Sequence, residues 1–172
     1  MMHRILRFLA ALVSSLLLAA VVAPPATALP AWRTTNSSWT NPDARHPLVL
    51  DLRYARHSNF DRVVIDIQGR IPGWTARYAG THYYDGSGAK VPIRAGMDLV
   101  LFPAYAHRTN GTSCYAGPKL VRPGFPALKA IAFTGDYEGY VSFAFGLDGR
   151  NPYRIFRLHD PQRIVLDFRH AS

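Results

Sequence analysis

The 172-residue chain contains one cysteine, Cys114, and one glutamate, Glu138. A lone cysteine forms no intramolecular disulfide and builds no structural zinc site, so the fold must be held by an apolar core. The thiol itself is either buried as a small hydrophobe or left as an intermolecular handle. Histidine pairs at ligand spacing are also missing. His46, His57, His82, His107, His159 and His170 are scattered, and no His-Glu-x-x-His segment occurs. No metal and no cofactor is therefore expected. No glycine-rich phosphate loop follows a strand pattern, and no Gly-x-Ser-x-Gly elbow is present. The 20 Lys and Arg residues form no run of the kind a nucleic-acid-binding arm shows. Beyond residue 28 no segment carries a helical stripe.

The N-terminus is different in character. Arg4 and Arg7 make a basic start, Phe8 to Ala23 is a stretch of 16 residues without charge, and Ala26-Thr27-Ala28 is a small-residue cleavage site. Residues 1–28 read as a signal peptide cleaved after Ala28, which makes the chain secreted or envelope-located. Kept uncleaved, the 25 uncharged residues between Arg7 and Arg33 would suffice to span a bilayer, although Pro24 and Pro25 interrupt them. Membrane contact is expected in that case alone. Residues 29–46 are polar and contain proline, as in a flexible tether, with Trp32 and Trp39 free to fold back onto the domain. Residues 47–170 form the domain proper.

Without Arg4 and Arg7 the chain keeps 18 basic and 11 acidic residues, a charge of +7 with histidine neutral. A basic exported chain first meets anionic polymers, so a cell-wall glycan or anionic envelope polymer is the expected partner, with an envelope protein as the alternative. Export removes it from nucleic acid.

From Leu48 onward apolar residues recur with period two. Leu48, Leu50, Leu52 and Tyr54 share one face; Val63, Ile65 and Ile67 oppose Arg62, Val64, Asp66 and Gln68. Further strands are expected at 74–78, 97–102, 128–134, 140–147, 153–158 and 163–168. Asp85-Gly86, Asn110-Gly111 and Asp148-Gly149 tolerate the positive φ of tight hairpins. About eight short strands with such turns predict an all-β two-sheet sandwich or a barrel. Residues 103–127 hold Pro103, Pro118, Pro123 and Pro126, a long irregular connection of the kind that carries function.

One segment repeats. Arg62-Val63-Val64-Ile65-Asp66 is echoed by Arg163-Ile164-Val165-Leu166-Asp167, with a looser third copy at 48–53. If the strong copies pair antiparallel about Val64 and Val165, Arg62 meets Asp167 and Asp66 meets Arg163. Each pair would add about 0.2–1 kcal/mol and fix the register. The alternative is a quasi-symmetric placement in opposite sheets.

These strands resemble the AMIN family and, more closely, the AMIN-like domain of secreted actinobacterial proteins. The resemblance rests on Phe60-Asp61-Arg62-Val63-Val64-Ile65-Asp66, on Gly135-Asp136-Tyr137-Glu138-Gly139-Tyr140 and on Asp160-Pro161-Gln162-Arg163-Ile164-Val165-Leu166-Asp167. It implies a two-sheet β-sandwich with internal pseudo-symmetry and, through AMIN domains, peptidoglycan targeting. The catalytic module that AMIN domains accompany has no room in these 172 residues, so no activity of its own is expected. In a chain resembling bacterial proteins, the Asn36-Ser37-Ser38 and Asn110-Gly111-Thr112 glycosylation patterns read as coincidence.

Asp136 and Glu138 are the close carboxylate pair. On extended backbone they would share a face about 6.5–7 Å apart, a spacing an inverting glycosidase could use. The better reading is a hairpin tip or a binding surface, with Tyr137 and Tyr140 stacking on apolar sugar faces. Cys114 and His107 lack any known thiol-nucleophile signature. The sequence thus predicts an exported, non-catalytic envelope-binding domain for peptidoglycan or an attached glycan, with Asp136, Tyr137, Glu138 and Tyr140 as ligand residues. Arg62, Asp66, Arg163 and Asp167 are the structural motif. A protein-interaction scaffold is the alternative, and an envelope glycan hydrolase stands behind it.

Overall fold

The computed structural model describes residues 28–171, so the expected basic start and apolar stretch of the signal lie outside the described residues. Ten strands build two antiparallel sheets packed face to face, and no described segment is a helix long and apolar enough to cross a membrane. They are β1 (Ser37–Trp39), β2 (Leu48–Arg56), β3 (Phe60–Gln68), β4 (Gly73–Ala79), β5 (Gly96–Phe102), β6 (Leu120–Val121), β7 (Leu128–Tyr137), β8 (Tyr140–Leu147), β9 (Tyr153–Leu158) and β10 (Arg163–Arg169). The larger sheet runs β1-β4-β5-β8-β7-β6 and the smaller β2-β3-β10-β9. All eight sequence-predicted strands are present. β1 and β6 are additional, short edge strands whose two or three residues carry no readable alternation.

The core follows from the period-two pattern. Val63, Ile65, Leu166 and Phe168 of the smaller sheet meet Leu99, Leu101, Phe143 and Phe145 of the larger, each essentially out of water. Each such side chain contributes about 1.5–3 kcal/mol by leaving water. In β2 the expected face does not hold. A bulge at Leu50 shifts the phase, so Val49 and Leu52 are buried while Leu48 and Leu50 are half-exposed and Tyr54 exposed. The carbonyl of Leu50 accepts instead from Ala116 N–H, at 2.8 Å.

β3 and β10 pair directly, with Val64 opposite Val165, Arg62 opposite Asp167 and Asp66 opposite Arg163. Placement in opposite sheets is thereby excluded. Arg62 donates to both oxygens of Asp167, at 2.7 and 2.9 Å. The second expected charge pair does not form. Asp66 accepts both donors of Arg53 from β2, at 2.9 and 2.8 Å, while Arg163 donates to the carbonyl of Pro161. A guanidinium two positions along the neighbouring strand reaches the carboxylate with fork geometry, and that outcompetes the directly opposite residue.

Residues 29–46 are not a flexible tether throughout. Arg33 exchanges both backbone hydrogen bonds with Tyr153, at 2.9 Å each, and β1 pairs with β4 through Trp39 opposite Trp74. Trp32 lies against the Arg154 guanidinium, 4.4 Å from the ring centroid. Burial of indole surface offsets the ordering of this segment. The turn dipeptides also divide. Asp85-Gly86 and Asn110-Gly111 lie in loops closed by the Tyr83–Lys90 and His107–Ser113 bridges, whereas Asp148-Gly149 carries the chain from one sheet to the other.

Candidate functional site

The β7–β8 hairpin closes on Glu138-Gly139, both at positive φ (48° and 82°), with Tyr137 directly opposite Tyr140. This is the two-residue hairpin whose twist matches the flanking strands. Gly139 is favoured by its φ, while the Tyr105 and Phe102 rings lie at ordinary contact distance from where a Cβ would stand. Because the backbone turns at Glu138, the extended geometry that would align Asp136 and Glu138 as a glycosidase pair is absent.

The tip instead gathers aromatic surface. Tyr140 stacks on Phe102 at the end of β5, with ring centroids 4.4 Å apart and planes 22° off parallel. Phe102, Tyr137 and Tyr140 are three of only six large hydrophobics exposed among the described residues, at 49, 67 and 45%. Their convergence at one hairpin leaves three large apolar side chains in water together, which marks an interaction site more than a packing need.

The connection after β5 extends this platform. Ala104 N–H donates to the Gly139 carbonyl at 2.8 Å, and Tyr105 is fixed by backbone bonds to Pro47 and Val49. His46 stacks on Tyr105, which meets His107 edge-on. Beside these rings lies a groove of about 570 Å³, lined by His46, Leu48, Tyr105, His107, Arg108 and Thr109 among others.

Asp136 enters this groove's wall from behind. Its Oδ2 lies 2.7 Å from His107 Nδ1, and its Oδ1 is buried without a partner among the described residues. With a neutral ring, His107 Nδ1–H donates to the carboxylate and Nε2 is left to accept from a ligand hydroxyl. The site thus offers aromatic faces for stacking, a fixed imidazole, and the Arg108 guanidinium for an anionic group.

Of the four sequence-predicted ligand residues, the structure brings Tyr137 and Tyr140 to the exposed tip and sets Asp136 behind His107. Glu138 occupies the turn itself. Phe102, Tyr105, His46 and Arg108 were not singled out in the sequence. The Pro-rich span 103–127 was the one signal toward part of them.

Cys114 is half-buried, with its thiol 3.9 Å from the Val49 carbonyl. Burial pushes the thiol pKa up, opposite to what a thiolate nucleophile needs. Among the described residues no three His, Cys, Asp or Glu side chains are placed to hold a metal ion.

Comparison with curated proteins and with solved structures returns no match. A family model does match, that of the AMIN-like domain, over residues 47–170. That span runs from the start of β2 through β10 and holds almost every element of the site. The chain belongs to the AMIN-like domain family.

Proposed function

We propose that the protein is an exported, non-catalytic cell-envelope binding domain that recognises peptidoglycan or a glycan attached to it. AMIN-like domains are in general binding domains associated with peptidoglycan and occur in envelope proteins. The observation that carries the finer reading is the exposed Phe102–Tyr140 stack with Tyr137, set beside the His107–Asp136 groove. Sugar rings present apolar C–H faces to aromatic side chains and hydroxyls to imidazole and carboxylate groups. Arg108 and the charge of +7 favour the carboxylates of wall polymers, an attraction that salt weakens. Cleavage after Ala28 releases the domain to the envelope, and intact mass of the exported form checks that step.

Co-sedimentation with purified cell walls across a salt series tests the reading. Retention at low salt that declines as salt rises, and that drops several-fold in Tyr140→Ala and Phe102→Ala, is expected. No retention at low salt would overturn it.

A further inference from the structure

A second surface lies on different strands, where the two sheets part. β9 is an edge strand of the smaller sheet, and β1 is an edge strand of the larger. Since Tyr153 N–H points outward to Arg33, the backbone groups of Ile155 and Arg157 point outward too. Among the described residues nothing pairs with them. Continuing the Arg33–Tyr153 register would set Ala31 opposite Ile155 and Leu29 opposite Arg157. Neither pairing forms among the described residues, and the ladder stops at Arg33. A cleft of about 650 Å³ lies there, with Leu29 and Pro30 on one wall and Ile155, Arg157 and Leu158 on the other.

Its floor is the Trp39–Trp74 pair, with ring centroids 4.9 Å apart. Trp74 is 9% exposed, and its indole N–H is buried without a hydrogen-bond partner among the described residues, a donor left at a cost unless something accepts from it. Arg157 is in phase with the core residues Tyr153 and Ile155, yet it is exposed and lies over Trp39, 4.1 Å from the ring centroid. It makes no ion pair among the described residues. An open edge, an apolar floor, an orphaned donor and a free cation thus share one cleft.

We propose that β9 accepts an extended acidic peptide segment of a partner protein as an added strand. Its backbone pairs with Ile155 and Arg157, an apolar side chain enters over Trp39 and Trp74, and a carboxylate meets Arg157. Charge selects this occupant over a second copy of the chain, which with 18 basic against 11 acidic residues beyond residue 28 would bring like net charge to Arg157.

The test is to pan a displayed random heptapeptide library against the full chain and to measure amide exchange with a synthetic peptide made from the winners. Expected are sequences that alternate apolar residues with Asp or Glu, new protection of the Ile155 and Arg157 amides, and a change in tryptophan emission. Arg157→Glu should weaken that peptide about tenfold or more. Arg157→Pro removes one edge donor without touching the β10 ladder and should also abolish the added protection. Tyr140→Ala should leave peptide binding unchanged, which separates this surface from the wall-binding reading. The proposal is overturned by a library with no enrichment or by winners lacking acidic residues. Protection of both amides before peptide is added would also overturn it, whether constant (the chain's own N-terminal segment) or rising with protein concentration (a second copy).

Discussion

β3 and β10 carry nearly the same five residues, lie side by side, and treat their aspartates in opposite ways. Asp66 is 26% exposed and is held by Arg53, itself 57% exposed on the edge strand β2. Asp167 is wholly out of water, although it points to the outer face of the sheet. Arg62 grips both its oxygens and Arg154 of β9 adds a third bond at 2.7 Å. Above these guanidiniums lie aromatic rings. Arg62 sits 5.1 Å from the Phe60 centroid and 5.6 Å from that of Phe156, and Arg154 sits 4.4 Å from that of Trp32. The two copies teach that an Arg-x-Val-x-Asp strand specifies register, while the flanking strands decide whether its carboxylate is an exposed tie or a buried anchor.

The largest expected effect comes from removing the buried member. Asp167→Ala leaves Arg62 and Arg154 under their aromatic cover without a counter-ion and should cost about 3–5 kcal/mol in urea unfolding. A loss no greater than that of Asp66→Ala would break the contrast. Trp32→Ala opens the cover to water and removes the stacking on Arg154, with an expected loss of about 2 kcal/mol. The same variant should make the Asp167 contribution salt-sensitive, which a double-mutant cycle with Asp167→Ala at two salt concentrations would show. Arg62→Lys keeps the charge but loses the fork, and about 1 kcal/mol is expected from thermal unfolding. Smallest is Asp66→Ala, under about 1 kcal/mol, with most of that effect gone at high salt because both partners are exposed.

The same division appears in what the sequence made legible. Once the two copies pair, register about Val64 and Val165 follows from alternation and from the even spacing of Arg, Val and Asp, a purely local regularity, but that they share one sheet did not follow from it. The partner of Asp66 did not follow, because Arg53 approaches diagonally from β2, whose register against β3 is shifted by a bulge at Leu50 that no local pattern marks. At the hairpin tip, Tyr137 and Tyr140 were legible because both sit beside one turn. Phe102, Tyr105 and His46 were not, since they reach the same place from β5, from the connection after it and from the segment before β2. Trp32 and Trp39 lay in a stretch whose polar composition reads as a tether. Their binding sites, Arg154 and Trp74, are more than 30 residues away in sequence and exist only once the sheets have formed.

The sequence by itself determined an all-β chain, eight of its strands, the register its repeated segment would take if its copies paired, and the family to which it belongs. Each of these rests on side-chain alternation or on contiguous residues, and the backbone's period of two converts such patterns directly into faces and registers. Only the tertiary structure decided that Asp167 is buried and Asp66 is not, that an aromatic platform meets a histidine groove, and that β9 keeps an open edge over two tryptophans. Those features depend on which side chains from distant strands share a few ångströms of space. Burial and electrostatics are set by that proximity, and no spacing along the chain encodes it.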